Sequence, residues 1–290
     1  LVDYQDEAYA RRYLERLQPF VSAALDRRAD RSVAGDSGAR NSAGEDAADP
    51  DGARMETARV VARYLALWMA YEDAVRVAEL KTRPERFARI RAEVRAGDAV
   101  VSVTEYLKPD LDEIWGVLPD RLVRPLARWA QRRWPHGRPT VGQHVRSTTI
   151  GGYLRLRALT LLRPLRPISY RAREEHEAME RWLEAVRRCA ALDAGLALEV
   201  ARAGQLVKGY GDVRRRMMGL HARLIADVLR IVEGGADRER IRVATALAAR
   251  LRTLVLQGPD GEAQVPATTA ATLGRLEAGD IEGSLAALRA

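Results

Sequence analysis

A chain of 290 residues has room for one large domain or two of ordinary size, and enough apolar material to close a core without disulfides or metals. Its one cysteine, Cys189, excludes an internal disulfide framework, a cysteine-ligated iron–sulfur cluster and a zinc ribbon. The net charge of +8 raises nucleic acid as a partner. Yet acids are interleaved with bases almost throughout, and all bases but Lys81, Lys108 and Lys208 are arginine, the pattern of a solvated, ion-paired helical surface.

Ala, Leu, Arg and Glu are abundant and Phe is scarce, which is helix-forming composition. The expected fold class is mainly all-α: a multi-helix bundle with long irregular loops and at most a short β-hairpin. No run approaches the ~20 apolar residues that span a bilayer. The acidic start, Leu1-Val2-Asp3-Tyr4-Gln5-Asp6-Glu7, carries no signal-peptide pattern, and a cytoplasmic location is expected. Because the chain opens on Leu, it reads as a fragment whose N-terminal part lies upstream.

Residues 1–26 read as an N-terminal helix continuing from that upstream part, with Tyr9, Tyr13, Leu17 and Phe20 near one stripe. Residues 27–54 lose the pattern. Ala, Gly, Asp, Ser and Asn dominate there and cannot offset their ordering entropy, so a flexible loop is expected. A helical domain follows over 55–257. Its first helix carries Ala58, Val61, Leu65 and Met69 on one face and runs to about Leu80. Thr82-Arg83-Pro84-Glu85 matches a capping box with Thr82 as N-cap. Val100, Val101, Val103 and Thr104 are the one strand-like patch, expected to cross extended or to pair near Val145–Thr149. Asp110 with Glu113 caps a short helix, and a longer one follows from about Asp120 to Trp134. Beyond a helix ending near Arg163, longer helices are expected at about 170–191, 194–207, 211–233 and 237–257, with Asp193 and Asp237 as N-caps. Residues 258–290 read as a looser tail with one or two short helices.

The densest motif is Leu206-Val207-Lys208-Gly209-Tyr210-Gly211-Asp212. Gly209 fits the residue that ends a helix in the left-handed region, and Asp212 fits the cap of the next. Alternatively, Lys208 beside glycine amides at a helix start could hold an anion. The dinucleotide fingerprint is not met, since no strand precedes and Arg214 stands where the third glycine belongs. Lys208, Gly209, Tyr210, Gly211 and Asp212 are therefore candidates for ligand binding or interface contact. So are Tyr71 and Asp73 with Lys81 and Arg83, two short motifs that together make either a buried ion-pair cluster or a polar pocket with a substrate-reading base.

Other constellations carry no catalytic role. His176-Glu177-Ala178-Met179-Glu180 lacks the second histidine of a metalloprotease helix, and His136, His144, His176 and His221 are scattered, so no metal site is expected. Cys189 shares an apolar face with Trp182, Leu183 and Val186, as a core thiol does. No nucleophile-elbow motif occurs. Trp129 and Trp134 with Arg128, Arg132 and Arg133 make a basic aromatic helix end that covers a core edge, or else stacks on bases, lipid or a partner. His144 to Gly152, β-prone and then glycine-rich, reads as a loop lining an interface.

In order along the chain, Leu1-Val2-Asp3-Tyr4-Gln5, Met69-Ala70-Tyr71-Glu72-Asp73, Lys81-Thr82-Arg83-Pro84-Glu85-Arg86-Phe87, Trp182-Leu183, Leu196-Ala197-Leu198-Glu199 and Leu206 to Asp212 resemble the C-terminal helical region of indolepyruvate ferredoxin oxidoreductase beta-subunit-like proteins. The resemblance implies a subunit that takes part in oxidative decarboxylation of aryl 2-oxo acids. It implies an oxidoreductase domain upstream in the same polypeptide and a thiamine-binding partner subunit. Thiamine diphosphate and iron–sulfur clusters would lie elsewhere in the complex, with no cofactor and no catalytic residue in this segment. The expected role is then accessory, in assembly or in access to an active site formed elsewhere. The alternatives are a stand-alone helical interaction module and an arginine-rich nucleic-acid-binding protein. No membrane partner is expected.

Overall fold

The structure, a computed structural model, describes residues 1–33, 49–135 and 137–289. Of the described residues 75% are helical, with one short two-stranded antiparallel sheet among them, a mainly-α, multi-helix fold. It divides into two compact units that are interleaved in sequence. Unit 1 takes Leu1–Asp6, Ala70–Glu177 and Tyr210–Asp212; unit 2 takes Glu7–Met69, Ala178–Gly209 and Val213–Ala290.

Unit 1 contains helices α3 (Ala74–Lys81), α4 (Pro84–Glu93), α5 (Leu111–Trp115), α6 (Asp120–Arg133) and α7 (Ile150–Thr160), and the start of α8 (Tyr170–Leu192). Strand β1 (Thr104–Leu107) pairs antiparallel with β2 (Gln143–Arg146), Glu105 opposite Val145 and Tyr106 opposite His144. The β-branched patch pairs as expected only in part: the strand starts at Thr104, past the valines, and its partner is reached through α5 and α6 rather than by a tight turn. Side chains alternate across the pair as the pleat requires. Glu105 and Val145 are buried, whereas Tyr106 and His144 stack edge to face on the outer side, ring centres 4.6 Å apart. Val145 joins Ala78 and Leu156 in one small core, and Trp115, Val123, Ala127 and Ala130 form another. The Asp110–Glu113 capping box holds the start of α5: Asp110 Oδ1 accepts from the Glu113 amide at 2.9 Å and Glu113 Oε2 from the Asp110 amide at 3.1 Å.

Unit 2 contains α1 (Glu7–Val33), α2 (Pro50–Met69), the rest of α8, α9 (Ala194–Arg202), a 3-10 turn over Ala203–Leu206, α10 (Gly211–Glu233, from Val213), α11 (Arg238–Leu256), α12 (Pro259–Glu277) and α13 (Ile281–Arg289). Asp193 and Asp237 are N-caps as expected, accepting from the amides of Leu196 and Arg240 at 2.8 Å each. Its core is lined by Trp182, Leu183, Leu196, Leu206, Leu247 and Leu251, all fully buried. Gly204 lies so close to the Trp182 ring that a Cβ would sit 2.8 Å from it, so only glycine fits.

Several expectations need correction. The irregular stretch expected over 27–54 is shorter at both ends, because α1 runs to Val33 and α2 begins at Pro50; residues 34–48, the rest of it, lie outside the described residues. The helix expected to run to about Leu80 is broken at Ala70–Asp73, where Asp73 caps α3. Thr82 is not the N-cap of the helix that follows it. It ends α3, its hydroxyl donating back to the Ala78 carbonyl at 2.9 Å, and Arg83 precedes α4 with no side-chain cap. The tail is no loose end, since α12 alone is 19 residues long.

Candidate functional site

The candidates Tyr71, Asp73, Lys81 and Arg83 all lie in unit 1 around α3, but Asp73 does not meet Lys81 or Arg83. Asp73 is buried, and its side chain serves two partners. It accepts from the Arg76 amide at 2.6 Å as N-cap, and it takes the Arg166 guanidinium in two bonds of 2.7 and 3.0 Å. Arg166 is also buried, donates to the Tyr4 carbonyl at 2.8 Å, and lies 4.3 Å from the Tyr4 ring centre. The Tyr4 hydroxyl donates to the Tyr71 carbonyl at 2.9 Å, with the two rings edge to face. Burial of Arg166 works against its charge, but Asp73 more than offsets this and the guanidinium pKa is raised.

Lys81 pairs instead with Glu105 at 2.7 Å, and Arg86 reaches the other oxygen of that carboxylate at 2.7 Å. Ser147 adds a hydrogen bond at 3.1 Å. Burial pushes the Glu105 carboxyl up, and the Lys81 bond and charge bring it below its ordinary range. Arg83 donates to both oxygens of Asp3 at 2.8 Å and to Glu79 at 3.0 Å. The Arg83 and then the Arg76 hydrogen bonds hold the Asp3 carboxyl down at about 2. Each of the three charged candidates is thus neutralised by a carboxylate or guanidinium of the same unit. Lys81 and Arg83 are countercharges to Glu105 and Asp3, in ion pairs separate from that of Asp73 with Arg166.

The Lys208–Asp212 segment is exposed at Lys208, Gly209 and Tyr210, the last 74% so. Gly209 has φ +83° and Gly211 φ +55°, both in the left-handed region. A Cβ at Gly209 would also come within 2.7 Å of Val213 Cγ1. The details differ from expectation. α9 ends at Arg202, well before Gly209, and α10 begins at Gly211, so Asp212 stands inside the first turn rather than at its cap. Its charge there still favours the positive helix end. The division between units falls between Gly209 and Tyr210.

Residues outside these motifs carry the more unusual environments. In unit 1 a cleft of about 250 Å³ is lined by Asp120, Arg124, Arg128, Tyr170, Arg173 and Glu174, among others. Arg124 holds Asp120 at 2.7 Å, and Arg173 bridges Asp120 at 3.4 Å and Glu177 at 2.7 Å. The Tyr170 hydroxyl donates to Glu174. Glu174 keeps solvent-exposed surface, yet the protein crowded around its carboxyl raises its pKa. Burial and then the Glu174 hydrogen bond raise that of Tyr170. In unit 2, His221 is buried edge-on to Trp68, ring centres 5.4 Å apart. Burial first, and then the charges of Arg214 and Arg181, lower its pKa to about 3, so the ring is neutral. Cys189 is fully buried, and burial lifts its thiol to about 11, as befits a core residue.

Neither Arg166 nor Glu105 was visible as a partner from sequence, because each is far along the chain from the residue it neutralises. His136 lies outside the described residues, and among those described no group of three or more His, Cys, Asp or Glu is placed to hold a metal ion. No helix among them is long and apolar enough to cross a membrane.

No curated protein and no solved structure matches the chain. A family model does, that of a family of unknown function (DUF6537), and it matches residues 1–226. The match covers most of the 290 residues, including all of the α3 network and the Lys208–Asp212 segment, and the chain belongs to the DUF6537 family.

Proposed function

We propose that the chain is an accessory helical region of a 2-oxo acid:ferredoxin oxidoreductase subunit of the indolepyruvate type, serving assembly or access to an active site formed elsewhere. One observation carries the accessory role. Four polar side chains of the resembling motifs are spent on joints within the chain: Tyr4 on Tyr71, Asp73 on Arg166, Lys81 on Glu105, Arg83 on Asp3. Side chains used in this way hold a scaffold together and are not available to bind substrate. On this reading the protein is cytoplasmic. An upstream oxidoreductase domain and a thiamine-binding partner subunit supply the chemistry. Thiamine diphosphate and iron–sulfur clusters belong to those parts on the same reading, and one cysteine, Cys189, is too few to hold a cluster here.

Of the exposed motif residues, which also include Glu72, Glu85 and Asp212, Lys208 and Tyr210 carry the partner contact on this reading. In the full-length protein purified with its neighbouring gene products, Lys208→Ala and Tyr210→Ala should each lower aryl 2-oxo acid-dependent reduction of an electron acceptor, with melting temperature unchanged. Normal activity per folded protein in both variants refutes this contact role. A stand-alone interaction module is the second reading, favoured by the exposed apolar stripe of α6.

A further inference from the structure

Helix α6 is strongly basic, and most of its bases are left without an acid among the described residues. Its sequence, DRLVRPLARWAQRR, holds five arginines and one acid. Arg124 pairs with Asp120, but Arg121, Arg128, Arg132 and Arg133 are exposed and make no ion pair among the described residues. Nearby acids are already taken: Asp120 by Arg124 and Arg173, Glu177 by Arg173, Glu174 by the Tyr170 hydroxyl. Arg132 and Arg133 also complement the carbonyl end of the helix, and Arg133 lies over the Trp134 ring. Arg121 and Arg128 have no such role.

Beside these arginines runs an apolar stripe. Leu122 is 73% exposed, Leu126 45% and Trp129 53%, and Leu118 before the helix continues the line. Their spacing of four, four and three is the ridge that packs into the groove of another helix. At roughly 100° per residue, three arcs follow one another around α6. Val123, Ala127 and Ala130 face the core, Leu122, Leu126 and Trp129 come next, and Arg121, Arg128 and Arg132 lie beyond. The line directly opposite the core falls between leucines and arginines, nearer the arginines. A flat lipid surface would meet the arginines first and leave the leucines on the shoulder. A helix lying alongside reaches both.

We infer that this face docks an acidic amphipathic helix of a protein partner, with its apolar ridge on Leu122, Leu126 and Trp129 and its carboxylates on Arg121, Arg128 and Arg132. Guanidinium forks suit carboxylates, and a carboxylate row along one flank of the ridge supplies the missing countercharge. The inference stands on α6 and not on the oxidoreductase reading, so either can fail without the other.

The test uses the 290-residue chain and a fluorescein-labelled synthetic helix with a leucine ridge and glutamates on one flank, followed by anisotropy. Leu122→Asp and Leu126→Asp should each weaken binding by about ten-fold or more. The double variant Arg128→Glu with Arg132→Glu should lose the glutamate helix and gain its lysine counterpart, a reversal that loss of folding cannot produce. Vesicles of phosphatidylglycerol and a single-stranded oligonucleotide are the competing ligands. The inference is overturned if the glutamate helix does not bind, if the lysine helix binds the unaltered chain equally well, or if the same substitutions weaken vesicle or oligonucleotide binding instead.

Discussion

The Asp73–Arg166 pair shows what a buried charge demands of its surroundings. Both side chains are nearly inaccessible, at 5% and 2%, and nearly every polar atom between them has a partner. Removing one partner strands the other, which costs about 3–5 kcal/mol, whereas replacing both by groups of similar volume costs far less. Arg166→Ala should therefore destabilise unit 1 by about that amount in chemical denaturation. Arg166→Met with Asp73→Ser, which keeps an N-cap oxygen, should lose less than the single variant; an equal or larger loss refutes the account. His221 makes a second prediction, through proton uptake. Its folded pKa of about 3 lies below the ordinary 6.5, so the unfolded chain takes the proton first. The contribution of this residue is intact above pH ~6.5 and falls by about 1.4 kcal/mol per pH unit as pH drops toward 3. His221→Leu should flatten the decline of melting temperature between pH 6.5 and 4.5, and parallel curves for the two proteins would reject it.

At the scale of elements, three helix starts were legible because the cap is local, although the equally local Asp73 cap of α3 was not read. Asp110, Asp193 and Asp237 sit three residues from the amides they receive, and the sequence shows both ends of each bond. Asp193→Ala should cost about 1 kcal/mol, a drop of about 2–4 °C in melting temperature, and Asp193→Asn should restore most of it. Thr82 misled because its hydroxyl has two choices, and it bonds back into α3 rather than forward. α12 was hidden by its own composition. Pro266, Gly261, Gly274 and three threonines argue against a helix, but Thr269 and Thr272 are buried and their hydroxyls are satisfied by Asp227 and the Thr268 carbonyl. α6 carries two apolar arcs, and the larger residues lie on the exposed one. No rule of spacing tells which arc faces inward. That is why Trp129 was legible as part of a basic aromatic end while Leu122 and Leu126 passed unnoticed. The partners Arg166 and Glu105 stayed illegible for a different reason, since only the tertiary fold brings them to Asp73 and Lys81.

For the whole molecule, the family match stops at residue 226, inside α10, while unit 2 continues through α11 to α13. α11 contributes Val243, Leu247, Leu251, Leu254 and Val255 to the interior of that unit. Each such side chain is worth about 1.5–3 kcal/mol when fully buried, and together they rival the 5–15 kcal/mol that usually holds a protein folded. A chain cut after residue 226 should lose its cooperative thermal transition and bind a hydrophobic dye. A sharp melt from the shortened chain would show that residues 227–290 are dispensable to the fold.

The burial of the indoles has an optical consequence. Unit 2 keeps Trp68 and Trp182 away from water, with the Trp182 ring nitrogen donating to the Val200 carbonyl at 3.0 Å, whereas Trp129 of unit 1 stands open to solvent. Interior indoles emit toward the blue and are sheltered from iodide; an open one emits toward the red and is quenched. Trp115 of unit 1 is buried too, so blue emission is shared by the two units, whereas the red, iodide-quenched component reports unit 1 alone and follows it through denaturation without a label or a cut.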